Sequence, residues 1–117
     1  MFENSKFDIF AGIPVTGYAS ALKWYEQLLG SPPAFFPNDI EAVWELGEHR
    51  YMYIVQQPEH AGHARHTLFV DNLDAILAQI TDRGLDPSER ETYENGVRKI
   101  TYRDPDGNEI SFGGAPQ

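Results

Sequence analysis

The 117-residue chain contains no cysteine, which excludes disulfides, thiolate chemistry and cysteine-ligated zinc. Positive charge is scarce: nine Lys and Arg stand against eighteen Asp and Glu, a net charge of −9. That field repels nucleic acid and anionic membranes and favours neutral or cationic small ligands, and it also serves solubility. Long apolar runs are missing, and so is any signal-peptide pattern, so the default expectation is a cytoplasmic protein with no membrane partner. A Ser-His-Asp order, a Cys-His pair, a phosphate-cradling glycine loop and a basic aromatic stripe are absent as well. The remainder is an ordinary globular composition, 41% hydrophobic and 13% aromatic, in a length that fits one domain over 1–117.

What the chain does have is a repeat. Ile13-Pro14-Val15 runs into an amphipathic stretch ending at Leu29-Gly30, and Leu68-Phe69-Val70-Asp71 runs into another ending at Arg83-Gly84-Leu85. Alternation predicts a strand over 7–15, with Phe7, Ile9, Ala11, Ile13 and Val15 on one face and Phe10 and Gly12 on the other. A helix follows over 18–29, carrying Tyr18, Leu22, Tyr25 and Leu29 at helical spacing, with Gly30 as its stop. Further strands are predicted near 34–36, over 41–46 and over 50–56, with a turn at Pro37-Asn38-Asp39. Residues 57–64 are polar, contain Pro58 and Gly62, and read as a linker.

The second unit repeats the order: a strand over 65–70 and a helix over 72–83, in which Leu73, Ile76, Leu77 and Ile80 fit the helical template. Asp71 or Asn72 is suited to cap that helix. A weak edge strand over 87–92 precedes strands over 97–103 and 109–112. These are joined by Asp104-Pro105-Asp106-Gly107-Asn108, a turn by its proline, glycine and Asx chemistry. Gly113-Gly114 reads as a tail. The organisation is module one over about 7–57, a linker over about 58–64 and module two over about 65–113. Each half is too small to bury both faces of a sheet alone, so the two must pack together around a cleft.

This order resembles the vicinal oxygen chelate superfamily of glyoxalase I, extradiol dioxygenases and bleomycin-resistance proteins. The resemblance rests on Trp24-Tyr25 and Leu29-Gly30 in the first helix and on Asp104-Pro105-Asp106-Gly107-Asn108 before the last strand, and it covers roughly 7–113. It implies an α+β fold of two βαβββ modules curled around a cleft, often completed in a homodimer. It also implies four positions at which the superfamily's enzymes hold a divalent metal: Phe10, Tyr53 or Ile54, Arg65 and Ser111. A phenyl ring and an isoleucine are no ligands, tyrosine is a rare one there, and a guanidinium repels cations. The expectation is therefore no metal and no cofactor, nearest to the metal-free bleomycin-resistance branch.

His60, His63 and His66 recur every third residue beside Glu59 and form an alternative metal cluster if the alignment slips by one. Parity puts His66 on the face away from the cleft, and the linker does not preorganise ligands, so incidental histidines are the preferred reading. His49 reads as a solvated turn residue. The expected ligand-binding set is Phe10, Trp44, Tyr51, Tyr53, Arg65 and Ser111, with Lys99 or Thr101 nearby and Met52 and Ile54 on the helix side. Aromatic walls with a few polar tips suit a small organic molecule. The expected function is metal-free sequestration or sensing of an aromatic or cationic ligand, antibiotic resistance included, in a homodimer. The alternatives are a metal-dependent lyase or dioxygenase, a metal-free isomerase, or an accessory module with a closed cleft.

Overall fold

Two βαβββ units lie side by side. In the computed structural model, which describes residues 1–116, the first unit runs β1 (Ile9–Val15), α1 (Tyr18–Leu29), β2 (Phe35–Asn38), β3 (Glu41–Gly47) and β4 (Arg50–Gln56). A single 3-10 turn at Pro58–His60 leads into β5 (Arg65–Val70), α2 (Leu73–Asp82), β6 (Glu89–Thr92), β7 (Arg98–Arg103) and β8 (Glu109–Gly114). Each unit forms its own four-stranded sheet, ordered β1-β4-β3-β2 and β5-β8-β7-β6. The β1–β4 and β5–β8 pairs are parallel and the others antiparallel. The fold class is α+β, as the family resemblance implies.

Alternation decides which face each helix covers. Ile13 and Val15 of β1, Ala42 and Trp44 of β3, and Met52 and Ile54 of β4 are buried with Ala21, Tyr25 and Leu28 of α1. In the second unit Ile100, Tyr102, Ile110 and Phe112 are buried with Leu73 and Ile80 of α2. The two sets form one continuous apolar cluster. Arg83, just beyond α2, clips the helices together: its guanidinium donates to the Gln27 and Leu28 carbonyls at the end of α1, and Gln27 Nε2 donates back to the Arg83 carbonyl. Gly30 ends α1 at φ +80, where its N–H donates to the Glu26 carbonyl at 2.9 Å.

The turn before β8 ties the units at one end. Asn108, fully buried, donates from Nδ2 to the Pro14 carbonyl (2.8 Å), and its Oδ1 accepts the Gly62 and Ala64 N–H groups. Asp106 Oδ2 accepts the Thr16 N–H. With both helices on one side, the opposite face of each sheet carries no helix. The chain is accordingly flat, 42 × 41 × 25 Å. Its radius of gyration of 14.8 Å exceeds the roughly 13 Å typical of a compact chain this long.

Local expectations need four corrections. β2 runs on through Pro37 to Asn38, which an edge strand tolerates because no ladder bond is demanded of the proline. Asn38 Oδ1 then accepts the Ile40 N–H and sets the turn. Gly113 and Gly114 are not a tail but the buried end of β8, paired with Lys99 and Arg98. Asn72 occupies the cap position of α2, yet its side chain makes no capping bond. The fourth concerns Trp44, described with the site. Among the described residues no helix is long and apolar enough to cross a membrane.

Candidate functional site

The helix-free face of the first sheet is an aromatic shelf. Phe10 and Tyr51 are register partners on adjacent parallel strands, and their rings stack at 4.5 Å with 8° between planes. One step along, Gly12 faces Tyr53, and the absent side chain lets the phenol fold over the backbone; an added Cβ would lie 2.6 Å from its hydroxyl. On β3, Val43 stands opposite Tyr53 and Glu45 opposite Tyr51, while Phe35 on β2 faces Val43. Desolvation first, then the charges of Glu45 and Asp8, push the Tyr51 phenol above its ordinary pKa. The shelf is thus apolar in its rings and negative around its rim.

The matching face of the second sheet is built from charge. Arg65 Nε lies 3.7 Å from Glu109 Oε1, Glu109 Oε2 lies 3.7 Å from Arg103 Nε, and Arg103 reaches Glu89 at 3.4 Å. Beneath this ladder the Thr101 and Ser111 hydroxyls hydrogen-bond at 2.8 Å, both buried. Phe69 shares this face and lies over Gly113, where a Cβ would meet the ring at 3.1 Å. Each ion pair is partly or largely exposed, which limits its contribution to about 1 kcal/mol or less.

Of the residues expected to bind ligand, Phe10, Tyr51 and Tyr53 come together on one face, and Arg65 and Ser111 occupy the corresponding face of the other sheet. Arg65 is not a free anchor, because Glu109 partners it. Trp44 does not belong to the set. It pairs with Met52 across the β3–β4 hairpin and therefore points under α1, where it is 1% exposed, lies 6.1 Å from the Tyr25 ring and donates its indole N–H to the Ser31 carbonyl. Phe69, Glu109 and Glu45 share these faces and lie outside the expected set. Phe69 was available from parity, since it stands four residues after Arg65 in the same strand. His66 bonds the Gly12 carbonyl through Nε2 at 3.0 Å. His49 sits 2.5 Å from Asp8 and 3.3 Å from Glu48.

A divalent metal does not fit these side chains. The four positions offer a stacked phenyl ring, a phenol lying on Gly12, a guanidinium paired with Glu109 and a hydroxyl bonded to Thr101. Among the described residues no three His, Asp or Glu side chains are grouped to hold an ion, whereas such a site needs several oxygen or nitrogen donors converging at about 2.0–2.6 Å.

The sequence profile described as the Glyoxalase/Bleomycin resistance protein/Dioxygenase superfamily matches residues 6–112. A glyoxalase/bleomycin resistance protein from Catenulispora acidiphila DSM 44928 is 53% identical, with a TM-score of 0.92 over 95% of this chain and 100% of that one. A bleomycin-binding protein solved with bleomycin is 19% identical, with a TM-score of 0.74 over 93% of this chain and 98% of that one. A lactoylglutathione lyase from Agrobacterium tumefaciens is 12% identical, with a TM-score of 0.72 over 95% and 93%. No curated protein sequence matches. The last two structures share the fold alone, and since one is a binder and the other a lyase, function must be argued from the site. By profile and by its 53% identical relative, the chain belongs to the glyoxalase/bleomycin resistance/dioxygenase superfamily.

Proposed function

We propose that this protein binds a planar, cationic aromatic molecule without a metal, sequestering or sensing it on the shelf formed by Phe10, Tyr51 and Tyr53. The observation that carries this reading is the stacked Phe10–Tyr51 pair ringed by Glu45 and Asp8. A ring face attracts a cation through its quadrupole, by about 0.5–2 kcal/mol, and the surrounding carboxylates add to that attraction. The net charge of −9 acts in the same direction at longer range. Neutralisation of Arg65 by Glu109 argues against a carboxylate ligand at this face. The bleomycin-bound relative gives a cationic probe to try first. The shelf is open in one chain, and a second copy is the occupant that closes it, laying its charged sheet face over the aromatic one. Antibiotic resistance is one use of such binding. The lyase or dioxygenase alternative is disfavoured by the donor set.

The test is calorimetric titration with bleomycin and with ethidium, each in buffer containing EDTA. Saturable binding of either probe that survives EDTA and weakens about tenfold or more, over 1.4 kcal/mol, in Phe10→Ala and Tyr51→Ala is expected. Binding that requires added divalent metal, or that is unchanged in both variants, would overturn the reading.

A further inference from the structure

The two units differ in chemistry at one equivalent place. Val15 pairs with Gln56 in the first unit as Val70 pairs with Gly114 in the second, so Arg50 occupies the position of Asn108. The segments before them correspond residue by residue, Leu46-Gly47-Glu48-His49-Arg50 against Asp104-Pro105-Asp106-Gly107-Asn108. Backbone conformation supports the match, since His49 and Gly107 both have positive φ, 65 and 94. In the second unit this segment clips the end of β1 through Asp106 and Asn108. In the first unit it faces the end of β5 and makes no such clip. A cavity of about 440 Å³ lies there instead, in the seam between β1 and β5, two edge strands that do not pair.

We infer that this seam cavity is a binding site for a small organic carboxylate with an apolar body, the carboxylate seated on Arg50. Most of the wall is apolar, from Ile9, Ala11, Leu46, Met52, Leu68 and Val70 with the Tyr51 and Phe69 rings, and His66 and Thr67 add two polar side chains. Arg50 also lines the cavity, its guanidinium resting over Gly47, where an added Cβ would collide with it. Among the described residues it has no carboxylate within 4.0 Å, whereas Arg65, Arg98 and Arg103 are all paired. Asp71 lines the adjoining space with Arg50 but lies beyond ion-pair distance. An unpaired guanidinium beside an apolar slot is the complement of an amphipathic anion, which it can hold through two parallel hydrogen bonds. The cavity volume falls in the range of small-molecule sites. The chain's net negative charge opposes anions at a distance, but physiological salt screens charges beyond about 8 Å and leaves the contact with Arg50 dominant. This site meets the aromatic shelf only at Tyr51, and the inference does not rest on the proposed function.

The test is titration of 15N-labelled protein with octanoate and, separately, with 1-octanol. Octanoate is expected to shift the amides of Ile9, Ala11, Leu68 and Val70 saturably. Arg50→Gln is expected to weaken octanoate by about tenfold or more, the scale of a lost charge-assisted contact, while leaving 1-octanol unchanged. Ala11→Leu, which fills the slot, should abolish both. Equal octanoate binding by wild type and Arg50→Gln would overturn the inference. So would shifts confined to Phe10, Tyr53 and Arg65, or no saturable shift in the wild type.

Discussion

The phenolic hydroxyl of Tyr25 in α1 donates a 2.8 Å hydrogen bond to Asp104 Oδ2 in the turn before β8, joining the first unit's helix to the second unit's last hairpin. Both groups are buried, and Asp104 also accepts the Asp106 and Asn108 N–H groups and Asn108 Nδ2. Tyr25→Phe keeps the ring and removes one donor from a buried carboxylate. The expected cost is about 1–3 kcal/mol, read as a lower midpoint in urea and a melting temperature lower by several degrees. An unchanged midpoint would mean that the link between the units is energetically idle.

The same phenol makes stability sensitive to alkali. Burial first, then the Asp104 charge, hold Tyr25 protonated far above the ordinary tyrosine value of 10.0. Because the folded pKa is raised, its contribution is complete below about pH 10 and is lost as pH climbs further, by about 1.4 kcal/mol per pH unit for one proton. Urea unfolding at stepped pH should therefore show a steeper loss above pH 10 in the wild type than in Tyr25→Phe. Tyr18 and Tyr102 are raised as well, so the variant keeps a residual slope.

Asn108→Asp tests the clip at β1. The new carboxylate would stand 2.9 Å from Asp104 and face the Pro14 carbonyl, where the amide now donates. Two carboxylates so close raise the folded pKa of one above its unfolded value. The variant should be destabilised by about 3 kcal/mol or more at pH 7, the scale of a buried uncompensated charge. Part of that loss should return as pH falls and the new acid is protonated. A variant equally unstable at pH 5 and pH 7 would place the damage in lost shape rather than charge.

Period-two alternation makes the shelf legible in the sequence: it places Phe10 with Gly12 on one face of their strand and Tyr51 with Tyr53 on one face of theirs. It fails for Trp44, whose face is fixed by the hairpin register across Gly47-Glu48-His49. Trp44 pairs with Met52, which alternation places on the helix side, and so it lies there too. Gly113 and Gly114 offered no side chains to alternate, so the end of β8 was invisible. Their smallness is explained by what lies over them, Phe69 at one and Leu73 at the other. The Arg65–Glu109 pair depends on the parallel β5–β8 register, which joins residues 44 positions apart and leaves no local trace. The flatness of the chain and the seam cavity are likewise properties of how the two units sit together.

Arg83 adds to the Gly30 cap of α1. No basic side chain lies in the last turn of α1, and the exposed carbonyls of Gln27 and Leu28 are taken by the guanidinium from beyond α2. Arg83→Met retains most of the aliphatic stem and removes both donors. The expected loss is about 1–3 kcal/mol. Amide exchange should quicken at the end of α1 more than in β7 or β8, and uniform quickening would contradict a local capping role.

The helix-free faces carry a prediction about assembly. Phe10, Phe35 and Phe69 stand on them at 48%, 45% and 64% exposure, large apolar side chains left uncovered on faces that carry no helix. The accessible area is 7238 Å², whereas a compact monomer of 13.3 kDa exposes about 6,400–6,500 Å². The excess, about 800 Å², matches one partner's share of a standard protein interface. A homodimer through these faces is the expected state in sedimentation equilibrium. Phe69→Lys should weaken it at least tenfold, over 1.4 kcal/mol, because a lysine there faces the apolar partner surface at the cost of desolvation. Ala78→Lys on the exposed side of α2 should leave it unchanged. If both variants sediment like the wild type, the second copy does not cover these faces, and the aromatic shelf must work open to solvent.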